Sequence, residues 1–134
     1  MAGGSLPAKL REQIALVVAA TNNCEYCLSA HSAVGQILGL GKEEIWDSRR
    51  GESSEGKIGV ALSFARELVT ERGRVYEKEL DQVRRAGFSE GEITEIIANV
   101  ALNLFTNYFN HVAAPSIDFP SVPPLVDQQV RQSA

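Results

Sequence analysis

The sequence predicts an all-α fold, a compact bundle of about five to six helices, and two observations lead to it. Four of the five prolines follow residue 114 and the other is Pro7, so residues 8–113 form a proline-free body that can be helical throughout. Apolar residues in that body recur at helical spacing, without the alternation or the Asn-Gly and Asp-Gly turns of β-hairpins. At 134 residues the chain can bury one core but not two.

Local signals mark the ends of the predicted helices of the first half: Pro7 precedes the first, turn-forming asparagines precede the second, and glycine follows the second and the third. They span residues 8–20, 24–38 and 42–50. The first contains an apolar run from Ile14 to Ala20 that leaves no polar face. We therefore expect this helix to be buried on most sides.

Two further helices are predicted after a polar loop at residues 52–56. Apolar residues from Ile58 to Val69 keep helical spacing and predict a fourth helix that ends near Gly73. A shorter helix is predicted between Tyr76 and Gly87. The glycine at each end marks the point where the helical conformation stops.

The last helix has the clearest signal in the sequence. Ser89, followed three residues later by Glu92, fits a capping box at its start. The apolar residues that follow form one stripe over about five turns and are expected to face the core. They are Ile93, Ile96, Ile97, Val100, Leu104, Tyr108 and Val112. Asn103, Asn107 and Asn110 are interpreted as residues of the polar face or of the helix end.

The proline-punctuated tail, residues 114–134, is set apart from the helical domain, residues 1–113. Its large apolar residues are Ile117, Phe119, Val122, Leu125 and Val126. Full burial of such side chains contributes about 1.5 to 3 kcal/mol each, enough to hold an extended segment in place. We therefore expect the tail to pack on a surface, and we predict that the surface belongs to a neighbouring subunit.

Charge and composition argue against several classes of function. The net charge is −4, and the basic pairs Arg49-Arg50 and Arg84-Arg85 are interpreted as solvated helix faces, so we expect no nucleic-acid partner. No apolar run reaches the roughly 18 residues of a membrane span, so we expect no membrane partner. The first residues lack the basic and apolar regions of a secretory signal, which predicts a cytoplasmic protein with reduced thiols.

The chemistry that the sequence offers centres on Cys24, Cys27 and His31, which share one face of a helix at about 100° per residue. Residues three apart on a helix also have the Cα separation that a disulfide requires. The positive end of the helix dipole lowers the pKa of a thiol there, and His31 is placed to accept the proton of Cys27. Glu12, an acid within an otherwise apolar helix, is the candidate that orients His31.

Some alternatives stay open at the level of the residues. The dipole favours a thiolate on Cys24, whereas His31 favours one on Cys27, so either sulfur can be attacked first. Two thiolates, His31 and Glu12 are acceptable zinc ligands, and buried cysteines can also be inert packing residues. We favour redox chemistry over both and predict no metal. His111 is interpreted as a partly buried histidine favoured by the dipole at the helix C-terminus.

These residues resemble the alkylhydroperoxidase AhpD-like branch of the carboxymuconolactone decarboxylase superfamily. The family motif is a glutamate, eleven residues, Cys-x-x-Cys, three residues and a histidine, and Glu12, Cys24, Cys27 and His31 match it in type and spacing. The likeness covers most of residues 8–113 and is strongest to peroxidase-related members. The best-known peroxidases of the family carry a histidine before the second cysteine, where this chain has Tyr26.

The resemblance implies a single-repeat all-α protein that assembles into homotrimers or homohexamers and reduces small hydroperoxides with a cofactor-independent dithiol. Cys27 would be the thiol deprotonated through His31, Glu12 would complete the proton relay, and Cys24 would be the disulfide partner. A dithiol or protein reductant would restore the thiols. The alternatives are a thiol-disulfide oxidoreductase or redox sensor with little peroxide turnover and, less favoured, a metal-binding or scaffold protein.

Overall fold

The computed structural model describes residues 3–122 and Leu125, and within them it contains six helices and no strand. The all-α fold class is therefore confirmed. In chain order the helices are α1 (Ala8–Thr21), α2 (Glu25–Ile37), α3 (Lys42–Arg49), α4 (Gly56–Thr70), α5 (Glu77–Arg85) and α6 (Glu90–Ala113). No helix in this part of the chain is long and apolar enough to cross a membrane.

Helix α1 is the centre of the bundle and packs against α2, α3, α4 and α6. Its apolar run explains this position, because Ile14 through Ala19 are all buried and a helix that is apolar on every side needs neighbours on every side. The main core lies between α1, α4 and α6, with Leu62, Phe64 and Ile96 among its members. The cysteine pair packs separately, with Ala19 and Leu28.

The N-terminal segment is tied to α6 by one carboxylate. The backbone N–H groups of Ser5 and Leu6 donate to the two oxygens of Glu95, over 2.6 and 2.7 Å. The Leu6 side chain is buried in the main core. The segment before α1 thus closes one end of the bundle.

The ends of the helices follow the predicted signals. Ser89 caps α6, its hydroxyl accepting from the N–H of Glu92 while the Glu92 carboxylate accepts from the N–H of Ser89, as a capping box requires. Cys24 is the N-cap of α2, so the helix starts one residue after the predicted position. Gly73, after the end of α4, has a φ of 80°, a conformation that glycine adopts without a steric penalty.

The predicted core stripe of α6 is wrong at Ile97, Tyr108 and Val112, which are exposed, whereas Leu104 packs against the main core as expected. Ile93, Ile96 and Val100 are buried as expected, but Tyr108 is exposed and Val112 is 88 % exposed. The inward positions are instead taken by amides, and the buried ones are Asn99, Asn103 and Asn107. The interpretation of Asn103 and Asn107 as polar-face or helix-end residues is therefore also wrong. The Nδ2 group of Asn103 donates to the backbone carbonyl of Asn99, whereas both polar side-chain atoms of Asn107 are buried without a hydrogen-bond partner in the described part of the chain.

Turning the amides inward leaves apolar side chains on the opposite side of α6. We call this surface the α6 apolar face, and its residues are Leu102, Phe105, Tyr108, Phe109 and Val112. All five are exposed, and Phe105 is 67 % exposed. Contiguous exposed apolar surface of this kind is typical of protein–protein contacts.

Helix α3 departs from the expectation for its arginine pair. Arg49 is only 3 % exposed, so it does not lie on a solvated face as predicted. The guanidinium groups of Arg49 and Arg50 lie 5.5 and 5.6 Å from the ring centre of Trp46. Burial lowers the pKa of Arg49, since desolvation disfavours its charged form. Packing on an aromatic ring offsets part of that cost.

The described part of the tail lies against helices of its own chain. The ring of Phe119 meets the ring of Tyr26 edge-on, with the ring centres 5.9 Å apart. Leu125 lines a cavity together with Ala20 and Thr21 at the end of α1. Val126 is outside the described residues. Packing of the tail on a neighbouring subunit stays a prediction, as does the division at residue 113.

Candidate active site

The site is built at the start of α2, where Cys24 and Cys27 are joined by a disulfide with their Cα atoms 5.2 Å apart. Asn23, with φ of 52°, turns the chain out of α1, so Cys24 occupies the N-cap position with extended backbone. The Sγ atom of Cys24 accepts a hydrogen bond from the backbone N–H of Cys27, at 3.4 Å. A helix N-terminus provides both this N–H group and a positive dipole end, which stabilise a thiolate after reduction.

His31 and Glu12 are brought together across α1 and α2. The Nδ1–H group of His31 donates to Glu12 Oε2 over 2.7 Å, and both side chains are partly buried. A carboxylate at Nδ1 fixes the ring orientation and leaves Nε2 as the atom that can accept a proton. In the described part of the chain, the ring makes no hydrogen bond to either sulfur. The predicted transfer of a proton from Cys27 to His31 stays a prediction.

A third side chain contacts the disulfide from α6. The Nδ2 group of Asn110 donates to Cys27 Sγ at 3.3 Å, across 83 positions of the chain. The sequence interpretation placed this residue on the polar face or at the helix end and missed the contact. The available signal was the spacing of Asn99, Asn103, Asn107 and Asn110, which puts four amides along one side of an otherwise apolar helix.

Two cavities approach the site from different sides. The first, of about 350 Å³, is lined by Glu12 and His31 with Arg11, Asn99 and Asn103 among the other residues. The second, of about 260 Å³, is lined by Cys24, Glu25, Tyr26, Asn110 and His111, together with residues of the tail. Cys24 and Cys27 are only 1 % and 2 % exposed, so very little of either residue is accessible to solvent. Of these two cavities, only the second is lined by a cysteine, Cys24.

The side chains around the second cavity complete its description. The hydroxyl of Tyr26 donates to the carboxylate of Asp118 in the tail. Burial, followed by the charge of Asp118 and this hydrogen bond, raises the pKa of Tyr26. His111 is exposed rather than partly buried as predicted, and it lines the cavity beside Cys24.

The ligand set considered for zinc is not assembled in the described residues. In residues 3–122 and Leu125, no three side chains of histidine, cysteine, aspartate or glutamate are grouped so as to hold one metal ion. The sulfurs of Cys24 and Cys27 are bonded to each other instead.

Solved structures similar to this chain share its fold. The debrominase Bmp8, solved in its apo form, superposes with a TM-score of 0.74 at 23 % identity, and the comparison covers 84 % of this chain and 62 % of that one. A structure of a Bmp8 variant with 2,3,4-tribromopyrrole gives the same TM-score and coverage at 22 % identity. An uncharacterized peroxidase-related protein from Silicibacter sp. TM1040 has a TM-score of 0.71 at 28 % identity, covering 91 % of this chain and 63 % of that one.

This chain thus spans less than two thirds of the length of these solved proteins. No curated protein matches its sequence. The profile of the carboxymuconolactone decarboxylase family does match it, over residues 1–70, which include α1, α2 and the whole set of Glu12, Cys24, Cys27 and His31. Since that match covers more than half of the chain, and the fold is shared with a peroxidase-related protein, the chain belongs to the carboxymuconolactone decarboxylase family.

Proposed function

We propose that this protein is a cofactor-independent dithiol peroxidase that reduces small hydroperoxides. The observation that carries the proposal is the Cys24–Cys27 pair at the start of α2, with the Glu12–His31 hydrogen bond one turn further along. A thiolate at a helix start is a nucleophile at neutral pH, and a carboxylate-oriented imidazole next to it can move its proton. The peroxidase-related protein of similar fold supports the same chemistry.

The reaction balances with the two cysteines alone. The Cys27 thiolate attacks the terminal oxygen of the hydroperoxide, the O–O bond breaks, and an alcohol leaves with a proton supplied through His31. This step leaves a sulfenic acid on Cys27. The thiolate of Cys24 then attacks the oxidised sulfur, water leaves, and the disulfide forms. A dithiol reductant returns both electrons by thiol–disulfide exchange.

Peroxide consumption by the purified chain tests the proposal. With tert-butyl hydroperoxide and dithiothreitol, the wild-type chain is expected to consume peroxide. Cys27→Ser is expected to abolish turnover because the attacking thiolate is missing, whereas Cys24→Ser is expected to slow it, because dithiothreitol must then reduce the sulfenic acid on Cys27 directly. Mass spectrometry after one equivalent of peroxide should show loss of two hydrogens in the wild type. In Cys24→Ser it should show a sulfenic acid on Cys27. Ser63→Ala, on the exposed side of α4, is the matched control.

The alternatives give different results in the same assay. A thiol-disulfide oxidoreductase would exchange with disulfide substrates at a high rate and leave the peroxide unchanged. Because the debrominase Bmp8 shares the fold, a brominated pyrrole with dithiothreitol is a further arm, and bromide release would indicate reductive dehalogenation by the same pair. Two free thiols that persist after peroxide treatment would contradict the proposal.

A further inference from the structure

Asn110 is the only side chain outside the Cys-x-x-Cys pair that hydrogen-bonds to a sulfur within the described residues. It comes from α6, 83 positions away in the chain, and its Nδ2 group lies 3.3 Å from Cys27 Sγ. The other sulfur has a different donor, since Cys24 Sγ accepts from the backbone N–H of Cys27 at 3.4 Å. Each sulfur therefore has its own hydrogen-bond donor, and only one of the two donors is a side chain.

We propose that Asn110 is a catalytic residue of this dithiol, whose amide stabilises the thiolate of Cys27. An uncharged disulfide sulfur is a weak acceptor, whereas a thiolate is a charged one, and hydrogen bonds to charged acceptors are about twice as strong as those between neutral groups. The amide of Asn110 therefore contributes more in the reduced state than in the oxidised state. Held on α6, it needs no rearrangement when the charge appears.

The geometry also assigns a direction to disulfide reduction. Cys24 and Asn110 line the same cavity of about 260 Å³, and Cys27 is not among its lining residues. A thiolate that enters this cavity attacks Cys24 Sγ, the S–S bond breaks, and its electron pair goes to Cys27 Sγ, next to the amide of Asn110. The second thiol of the reductant then attacks the mixed disulfide and releases the Cys24 thiolate. A lower pKa of the leaving thiol speeds the first of these steps.

The charged and titratable groups around the two sulfurs are divided between the two sides. Glu12 and His31 lie on the side of the larger cavity, with Arg11. Glu25, Tyr26 and His111 line the cavity beside Cys24. None of them donates a hydrogen bond to Cys27 Sγ, so the amide of Asn110 is the direct contact whose removal can be tested.

The inference rests on the proposed dithiol function, but its test needs no peroxide. In the Cys24→Ser background only Cys27 titrates as a thiol, and its pKa is read from the pH dependence of iodoacetamide alkylation. Asn110→Leu, which keeps the size and removes the donor, is expected to raise the Cys27 pKa by about one unit, a tenfold loss of thiolate at a pH below both values. Asn110→Asp, which adds a like charge, is expected to raise it further.

The reciprocal background separates this role from a structural one. In Cys27→Ser the remaining thiol is that of Cys24, which has its own backbone donor, so Asn110→Leu should leave its alkylation profile unchanged. Thr106→Val, one turn earlier on α6, controls for a general effect on the helix. With both cysteines present, Asn110→Leu should also slow reduction of the disulfide by dithiothreitol several-fold.

Equal shifts at both cysteines would show that Asn110 acts on the fold of the site rather than on Cys27, and no shift at Cys27 would remove it from the chemistry. Either result overturns the inference while leaving peroxide turnover to be measured on its own. Conversely, the Cys27 shift without any peroxide consumption by the wild type would keep the role of Asn110 and contradict the peroxidase proposal.

Discussion

At the scale of single residues, the hydrogen bond between His31 and Glu12 is the feature that most needs an experiment. Two interpretations fit a carboxylate and an imidazole 2.7 Å apart between α1 and α2. In one, Glu12 orients a proton acceptor for the dithiol. In the other, the pair only satisfies two polar groups that packing of the helices has partly buried. The first makes thiol reactivity depend on both residues, and the second makes only stability depend on them.

We predict that His31→Gln raises the apparent thiol pKa of the reduced protein and slows alkylation at pH 7, and that Glu12→Gln does the same more weakly. Loss of a positioned base typically costs about a hundredfold to ten-thousandfold in rate, far more than loss of one helix contact. The pH profile of iodoacetamide labelling measures this, with thermal unfolding of the same variants recorded in parallel. Three superimposable profiles with lowered melting temperatures would support the purely structural interpretation.

A second prediction at this scale concerns Glu67 on α4. The pKa of Glu67 is raised, mainly by burial and further by the negative charges of Glu79 and Glu71. Since its folded-state pKa lies above the unfolded value, the ionised carboxylate opposes folding at neutral pH, and protonation removes this penalty as the pH falls. Glu67→Gln is therefore expected to increase the free energy of unfolding at pH 7, and the gain should shrink in acid. Urea unfolding of the wild type and the variant, at pH 7 and in acid, measures both free energies. A variant less stable than the wild type at pH 7 would contradict the prediction.

At the scale of the elements, the N-terminal segment is fastened to α6 through Glu95. The backbone N–H groups of Leu6 and Ser5, in that order of effect, hold the pKa of Glu95 below its ordinary value. A depressed folded-state pKa gives stability that is present above the unfolded value and lost as the pH falls through the folded one. The contact of Glu95 with Ser5 and Leu6 thus stabilises the fold at neutral pH and is weakened in acid.

We expect Glu95→Gln to lower the free energy of unfolding at pH 7, because an amide has one acceptor oxygen where the carboxylate offers two to Ser5 and Leu6. The difference from the wild type should narrow as the carboxylate of the wild type is protonated. Denaturant unfolding from neutral to acid pH measures it. Glu43→Gln, at an exposed position of α3, controls for the loss of one negative charge. A difference in free energy of unfolding between Glu95→Gln and the wild type that stays constant with pH would contradict the prediction.

How far the sequence predicts these elements depends on what fixes each one. Helix ends were predicted closely because they depend on local signals, such as Pro7 before α1 and the capping box of Ser89 and Glu92. The inward side of α6 was not predicted correctly. Apolar residues occupy two sides of that helix, and only packing determines which side contacts α1. Val112 followed the predicted stripe and is exposed, whereas Asn107 is completely buried.

The candidate site divides in the same way. Spacing within one helix predicted the Cys24–Cys27 bond, and the isolated acid in α1 pointed to the contact of Glu12 with His31. The role of His31 toward the two sulfurs stays a prediction. The contact of Asn110 with Cys27 joins α6 to α2, and nothing local to either segment specifies such a pair. Arg49 shows the same limit, since a charged pair on a short helix gives no local sign that one member is buried.

At the scale of the whole molecule, the α6 apolar face bears on the predicted homotrimer or homohexamer. Its five exposed apolar side chains lie on the helix that also carries Asn110. Burial against a second copy would remove this surface from water at about 25 cal/mol per Å² of apolar area. In the described residues 3–122 and Leu125 these five side chains are exposed, which is why we expect self-association through this face.

We predict that the wild-type chain is a trimer or hexamer by light scattering at micromolar concentration. The double substitution Phe105→Glu and Val112→Glu should produce a monomer, because two charges cannot be buried without partners. Truncation at Ala114 should loosen the assembly if the tail also packs on a neighbour. Lys78→Glu, on the exposed side of α5, is the control, and a monomeric wild type would contradict the prediction.

The placement of the disulfide within one helical turn has a consequence for the stability of the two redox states. A bond between residues three apart closes a short loop and restrains the unfolded chain far less than a cross-link between distant segments. When it is cleaved, Cys24 remains the N-cap of α2, and as a thiolate its sulfur accepts the N–H of Cys27 more strongly than before. In the proposed dithiol chemistry the two electrons are therefore exchanged within the first turn of one helix, so cleavage of this bond removes no covalent link between two helices.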